Sequence, residues 1–395
     1  MKGCEIFTDS QACAETIDVA IVGGGVAGLA AAIGFARNGL QVHLLEQNNE
    51  FGRFIKGEVV KKSAEIFKTI FNEAGLPKSA IQIVFKTGKY YTPSTKKYAL
   101  RTFPEGEKIG LDYRELINAL VKIAIQEKVS LSLNSKVIDL IKEGDQITGV
   151  IYQQFGQVKQ LMPKLIICAA GLHGNLSLPE ELKSPKNVSP ALKIIADNMN
   201  IPNPTELEFF FLEIPSVIWI FPKSKTKAEV GICIWIDQLP EADKINLSGM
   251  LEKYIKTHPV LKSRLQNATF IYYQKEWLAF GGPVKQLFIP KVFYIGDIVG
   301  QVGAVGGSGI ISSMTIGYDL SRILGKALKE KGTLQKEDFE IAQKELINSE
   351  IGKILKKEQS NAKVMRELLY SPLKSPEEID ILWDKFKQFI ESRGA

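Results

Sequence analysis

Gly23, Gly25 and Gly28 are spaced G-x-G-x-x-G, with Val26 and Ala27 between the last two, and Glu46 follows them. That set can hold a nucleotide diphosphate. The first glycine permits a tight turn, the second lets a pyrophosphate reach the backbone, and the third lets a helix pack closely on a strand. An acid about 20 residues further on accepts hydrogen bonds from the ribose hydroxyls. A 2′-phosphate would meet the Glu46 carboxylate, so NADP is disfavoured and FAD or NAD remains. A second set lies far along the chain: Gly296-Asp297, then Gly306, Gly307, Gly309 and Ile310. Its carboxylate can accept from a ribityl hydroxyl, and bare glycines leave space for a planar ring.

The elements that must carry these residues are legible nearby. Asp18–Val22 is a short, β-branched apolar run, which reads as a buried parallel strand. A helix over Leu29–Asn38 and a strand over Gln41–Leu45 follow it. The helix N-terminus offers N–H groups and a positive dipole end to phosphates. A strand over Lys291–Ile295 delivers Gly296-Asp297, and a helix over Ile310–Lys329 aims N–H groups at the ring site. Such an end stabilises the anionic reduced flavin. One set serves an ADP half and the other a flavin half, so the expected cofactor is non-covalent FAD. No His or Cys lies in 52–58 or 306–309 to form a covalent flavin bond.

The rest of the chain reads as α/β. After a loop over 48–58, the spacing of Val60, Ala64, Phe67, Ile70 and Phe71 predicts a helix over Val59–Ala74. Strand patterns follow over 81–109, then a helix over Tyr113–Glu127, strands over 130–135, 136–142 and 147–153, and the apolar run Leu165–Gly171. Strands dominate 190–290, at Leu207–Glu213, Val217–Phe221, Glu229–Ile236 and Ala268–Glu276, with one helix near Leu247–Thr257. We expect a parallel Rossmann-like FAD-binding sheet (17–180 and 286–330), an inserted antiparallel substrate layer (81–109 and 190–285) and a helical C-terminal region (333–395).

Composition excludes some classes. The net charge of +6 (50 basic, 44 acidic) is spread along 395 residues. No basic block of the kind that binds nucleic acid occurs, although weak attraction to an anionic membrane surface is allowed. Cys4, Cys13, Cys168 and Cys233 form no C-x-x-C pair, and His43, His173 and His258 are the only histidines. No metal site is expected, and the cysteines read as reduced thiols of a cytoplasmic protein. Residues 1–16 are polar and do not read as a signal peptide, and no apolar run is long enough to span a membrane.

Together the motifs resemble the FAD-containing family of aromatic hydroxylases, squalene epoxidases, flavin halogenases and geranylgeranyl reductases, over about residues 17–330. In that family the Gly-Asp motif binds the ribityl chain. Val217-Ile-Trp-Ile-Phe-Pro222, followed after eight residues by Gly231-Ile-Cys233, is similar to the geranylgeranyl reductase pattern Y-x-W-x-F-P-x(7–8)-G-x-G. Val217 and Cys233 depart from it. Trp219 and Phe221 share one strand face, suited to wall an apolar chain, and Gly231 would leave room for it. Ala170, before Gly171, stands where hydroxylases carry Asp, which counts against that branch. Tyr113 stands where the family has a flavin-contacting arginine, with Arg114 beside it, and Lys56 precedes Gly57 where many reductases have cysteine.

The resemblance implies an FAD-dependent reductase of isoprenoid C=C bonds. The rivals are a flavin monooxygenase or halogenase acting on a small apolar or aromatic molecule, and a prenyl-binding escort protein without flavin. The candidate cofactor residues are Gly23, Gly25, Val26, Ala27, Gly28, Glu46, Gln47, Arg53, Val137, Ala170, Gly171, Gly296, Asp297, Gly307, Gly309 and Ile310. Trp219, Phe221 and Gly231 are the candidate substrate residues, and no catalytic residue is assigned. Electrons would come from a transient reduced nicotinamide or a small redox partner protein. Peripheral membrane contact would bring a prenyl-lipid substrate.

Overall fold

A computed structural model describes residues 17–53, 59–172, 187–237, 239, 244–370 and 374–392 of the chain. Cys4, Cys13, Lys56, Gly57 and His173 lie outside the described residues. Strand β1 (Val19–Val22) is buried at every position, as a central parallel strand covered on both faces must be. It pairs parallel with β2 (Val42–Leu45) on one side and with Leu165–Cys168 on the other. Ser130–Ser132 extends the sheet beyond β2, Val292–Tyr294 extends it beyond Leu165–Cys168, and Phe288–Ile289 closes that edge antiparallel.

Helix α1 (Val26–Arg37) starts three residues before the expected Leu29, because the extended Gly25 is its N-cap. α1 packs along the helix Ile310–Lys331 at glycines. A side-chain carbon on Gly34 would come within 1.9 Å of Ser321 Oγ, and one on Gly317 within 2.4 Å of the Ala27 carbonyl oxygen. That close crossing brings the two glycine sets to one end of the sheet.

The second layer is a seven-stranded sheet in the order Thr269–Ala279, Val188–Asp197, Ala228–Ile234, Ser216–Pro222, Glu206–Phe211, Thr87–Tyr91 and Tyr98–Thr102. Its pairings are antiparallel except for Glu206–Phe211 on Thr87–Tyr91, which is parallel. Strand alternation sorts its side chains. Ile218, Ile220, Val230 and Ile232 pack in one cluster with Leu251 and Leu261 of the helices Leu247–Thr257 and Pro259–Leu265. Val217, Trp219 and Cys233 face the other side, with Met365, Trp383 and Phe386 of the helices Glu350–Tyr370 and Pro376–Ser392. The C-terminal helices therefore cover the substrate layer instead of trailing from the fold.

Two expectations are corrected. The helix predicted over Val59–Ala74 is a strand, Val59–Lys61, followed by a shorter helix, Glu65–Phe71. The β-branched Val59 and Val60 pair with Gly110 and Ile109, a tertiary contact that overrides the helical spacing. The segment 81–109 does not join one layer. Thr87–Tyr91 and Tyr98–Thr102 enter the large sheet, whereas Ile81–Phe85 and Lys108–Leu111 form a three-stranded sheet with Val59–Lys61. No helix among the described residues is long and apolar enough to cross a membrane.

Candidate functional site

The first glycine set forms the wall of a groove of about 190 Å³. Gly23 has φ +106°, and a side-chain carbon there would sit 2.5 Å from the Ala169 carbonyl oxygen. Gly28 is held 2.0 Å from the Gly23 carbonyl oxygen on the same measure, so it closes helix on strand without lining the groove. Gly25 differs. The nearest protein atom to its missing side chain is Tyr113 Oη at 3.9 Å, so that position faces open groove. Glu46 is buried, and its Oε2 accepts the Gly24 N–H at 2.7 Å while Oε1 accepts the Asn48 N–H at 2.8 Å. The acid thus clamps the turn to the end of β2.

The groove brings together Gly23, Gly25, Val26, Ala27, Glu46, Gln47, Arg53, Val137, Ala170, Gly171, Gly296 and Asp297. Gly24, Asn48, Glu50, Gly52, Ser135 and Ser313 also line it and were not expected. Their signal was weak, since each is a small or polar residue in a loop or at an element end. Tyr113 projects into it from the first turn of the helix Tyr113–Gln126, whose N-cap Asp112 accepts the Glu115 N–H. Arg114 pairs instead with Glu50 at 3.5 Å, both well exposed.

Asp297 is placed by its neighbours. Gly296 has φ +83°, and its N–H donates to Oε1 of the buried Gln301 at 2.7 Å. The Gln301 N–H donates back to the Gly296 carbonyl at 3.1 Å, and Ser312 Oγ donates to the Gln301 carbonyl at 3.0 Å. A side-chain carbon on Gly309 would lie 3.4 Å from Asp297 Oδ1. The carboxylate therefore sits at the N-terminus of Ile310–Lys331, whose N-cap Gly309 makes no side-chain cap.

A second cavity, of about 280 Å³, adjoins the groove, and Val26, Tyr113, Asp297 and Ser313 border both. Gly307, Gly309 and Ile310 form one end, and Phe209, Trp219, Phe221, Trp235 and Phe280 form much of its wall. Gly231 does not line this cavity. Trp219 Cζ2 falls 1.9 Å from where a Gly231 side-chain carbon would be, so the room at Gly231 is filled by the indole and not left for a ligand. The Trp219 Nε1–H donates to Glu229 Oε1 at 2.9 Å, which fixes the ring. The Cys233 thiol on this wall is pushed up to about 12 by burial, with the Arg366 charge opposing, so it stays a neutral apolar surface. Charged side chains break the apolar wall: Arg101, Lys108 and an almost fully buried pair in which Lys193 Nζ lies 2.5 Å from Glu276 Oε1.

A flavin dinucleotide fits these residues. The open position at Gly25 and the uncapped helix above it suit a pyrophosphate, Glu46 a ribose, and Asp297 with the uncapped Ile310–Lys331 a ribityl chain and ring. Residues 16–338 match the family of the FAD binding domain. The chain belongs to that family. This flavoprotein is an FAD-dependent oxidoreductase. It is 25% identical over 383 residues to a digeranylgeranylglycerophospholipid reductase of Methanococcus aeolicus, covering 95% of this chain and 91% of the relative. A geranylgeranyl bacteriochlorophyll reductase-like structure from Thermoplasma acidophilum superposes with a TM-score of 0.74 at 19% identity, covering 95% of the flavoprotein and 98% of that chain. A myxobacterial chondrochloren halogenase shares the fold at a TM-score of 0.73 and 17% identity, covering 96% and 91%. The flavin-free escort reading falls with the family assignment.

Proposed function

We propose that this flavoprotein reduces C=C bonds in an isoprenoid chain. The observation that carries the reading is the junction of the two spaces: an apolar, aromatic-walled cavity meets the dinucleotide groove at Asp297 and Tyr113. A long apolar chain suits such a wall, since each buried CH₂ contributes ~0.8 kcal/mol with no polar partner required. The names of the relatives point to the same substrate class.

When bound, the flavin supplies hydride to an alkene carbon. The protein binds, orients and keeps water out. Glu46 and the Gly23–Gly25 turn hold the dinucleotide end, and Asp297 and Gly309 hold the ribityl end. Phe209, Trp219 and Phe221 align the chain and exclude water. The candidate residues other than Gly28 and Gly231 act in these roles on this proposal. So does the division into an FAD-binding unit, a substrate layer and a helical region. The electron donor is a transient nicotinamide or a small redox protein, and prenyl lipid would enter from a membrane surface.

A monooxygenase or halogenase is the second reading, favoured by the shared fold of the halogenase. Anaerobic photoreduction of the purified protein, followed by mixing with geranylgeraniol or with oxygen, separates the two. Reoxidation by the alkene with a saturated product is expected. Rapid reoxidation by oxygen with hydroxylated or halogenated product would overturn the reductase reading.

A further inference from the structure

Lys193 and Glu276 sit on the cavity wall with side chains 5% and 6% exposed and 2.5 Å apart. Both are buried, Lys193 on the second strand of the sheet and Glu276 on its edge strand. Lys193 is directly across from Gly231, the glycine whose side-chain space holds the Trp219 indole. Glu276 is two residues from Leu278, whose Cδ1 lies 3.8 Å from a side-chain position on Gly307. Alternate strand residues share a face and lie about 7 Å apart along the strand, so Glu276 and Leu278 point to the same side. Gln274 Nε2 donates to Glu276 Oε2 at 3.1 Å and fixes the carboxylate plane. Oε1 accepts no hydrogen bond among the described residues and meets Lys193 only as an ion-pair contact.

Stability does not explain this pair. Removing two charges from water costs several kcal/mol per ion, and apolar side chains of similar volume are often as stable or better. A reductive addition, however, needs a proton as well as a hydride. Resting on the reductase reading, we propose that the Lys193–Glu276 pair is the proton source for the substrate alkene. The proton comes from Lys193 Nζ, which Glu276 Oε1 holds at 2.5 Å. Its transfer to one alkene carbon leaves a neutral Lys193 amine beside the Glu276 carboxylate, while the other carbon takes the hydride and its electron pair from reduced flavin. The C=C π bond is lost, two C–H bonds form, and water returns one proton to the pair before the next turnover. Trp219, which lines the same cavity, is the aromatic group that would meet positive charge developing on the chain.

The double variant Lys193→Met/Glu276→Leu removes both charges and keeps the wall apolar, so it is expected to fold. It should bind FAD, undergo photoreduction and, as apoprotein, bind geranylgeraniol within about threefold of wild type. Its single-turnover alkene reduction should fall ~100-fold or more, the usual contribution of a positioned acid. Propylammonium should restore part of the rate to Lys193→Ala, an effect that a structural role would not give. In apoprotein carrying ¹³C-labelled lysine, the Cε signal absent from Lys193→Met should move when geranylgeraniol binds. If wild type binds and reduces the prenyl chain while the double variant stays within tenfold of it, or the Lys193 signal stays still, the pair is structural and the proposal fails. If the double variant loses binding together with rate, the pair positions substrate and the proton role is overturned. If wild type neither binds nor reduces prenyl chains, the reading of the site itself has failed.

Discussion

The Trp219 indole fills the space that a side chain on Gly231 would need, its Cζ2 lying 1.9 Å from that position. One aromatic ring thus closes the gap on the neighbouring strand and presents its remaining face to the cavity. Because the ring also donates to the buried Glu229, it has little freedom to swing away. Gly231 is therefore a specification for the rotamer of Trp219.

Gly231→Ala should displace the indole and break the Trp219–Glu229 bond. Overpacking of this kind costs about 1–3 kcal/mol. Urea unfolding should register that loss, and prenyl-chain affinity should fall with it. In a Trp219→Ala background the same substitution should cost roughly 0.5 kcal/mol or less, the non-additivity expected of residues in contact. Equal costs in both backgrounds would break the coupling.

Gly25 and Gly28 share a motif but should fail differently. Gly25→Ala meets no protein atom closer than 3.9 Å, so apoprotein stability should change by about 1 kcal/mol at most, the scale of an N-cap effect. FAD binding should be lost. Gly28→Ala would place a carbon 2.0 Å from the Gly23 carbonyl oxygen and should destabilise the apoprotein itself. Thermal melts with and without FAD distinguish the two.

Asp297→Ala should weaken FAD by about 1.5–3 kcal/mol, the range for a hydrogen bond to a charged group, while leaving the Gly296–Gln301 clamp in place. Fluorescence titration with FAD measures this, and unchanged affinity would remove Asp297 from the site.

His258 caps the helix Pro259–Leu265, its Nδ1 accepting the Leu261 N–H at 3.2 Å. Burial holds its pKa below the ordinary 6.5, and the smaller pull of the Glu213 charge does not reverse this. The unfolded chain therefore takes up the proton first. The stability that the neutral ring contributes is present above its unfolded value and is lost as pH falls through and below it. Chemical denaturation from about pH 7.5 to about pH 5 should show a loss in wild type that is smaller in His258→Asn, which keeps a capping side chain.

Cys168 and Cys233 are buried thiols, both pushed up to about 12 by desolvation. Peptide mapping after iodoacetamide treatment at neutral pH should find both unmodified in the folded protein and alkylated after denaturation. Labelling of native Cys233 at a free-thiol rate would show that the cavity wall opens.

The dinucleotide half was legible because it is local. Gly23, Gly25, Gly28 and Glu46 lie within one strand–turn–helix–strand unit, where chain sterics alone bring glycine turn and acid together. Gly296-Asp297 was legible as a motif, but not the Gln301 clamp that holds it, since a buried glutamine carries no periodic signal. Val59–Lys61 was misread because its spacing suits a helix, and only the Lys108–Leu111 strand, distant in sequence, makes it a strand. Likewise the amphipathic pattern of Pro376–Ser392 announces an apolar face without saying where it docks. Trp383 and Phe386 bury it on Phe211. Trp219 and Phe221 could be assigned to one face from the sequence, yet the indole over Gly231 and the Lys193–Glu276 pair could not. Strand period fixes the side to which a residue points; the register between strands distant in sequence decides what it touches.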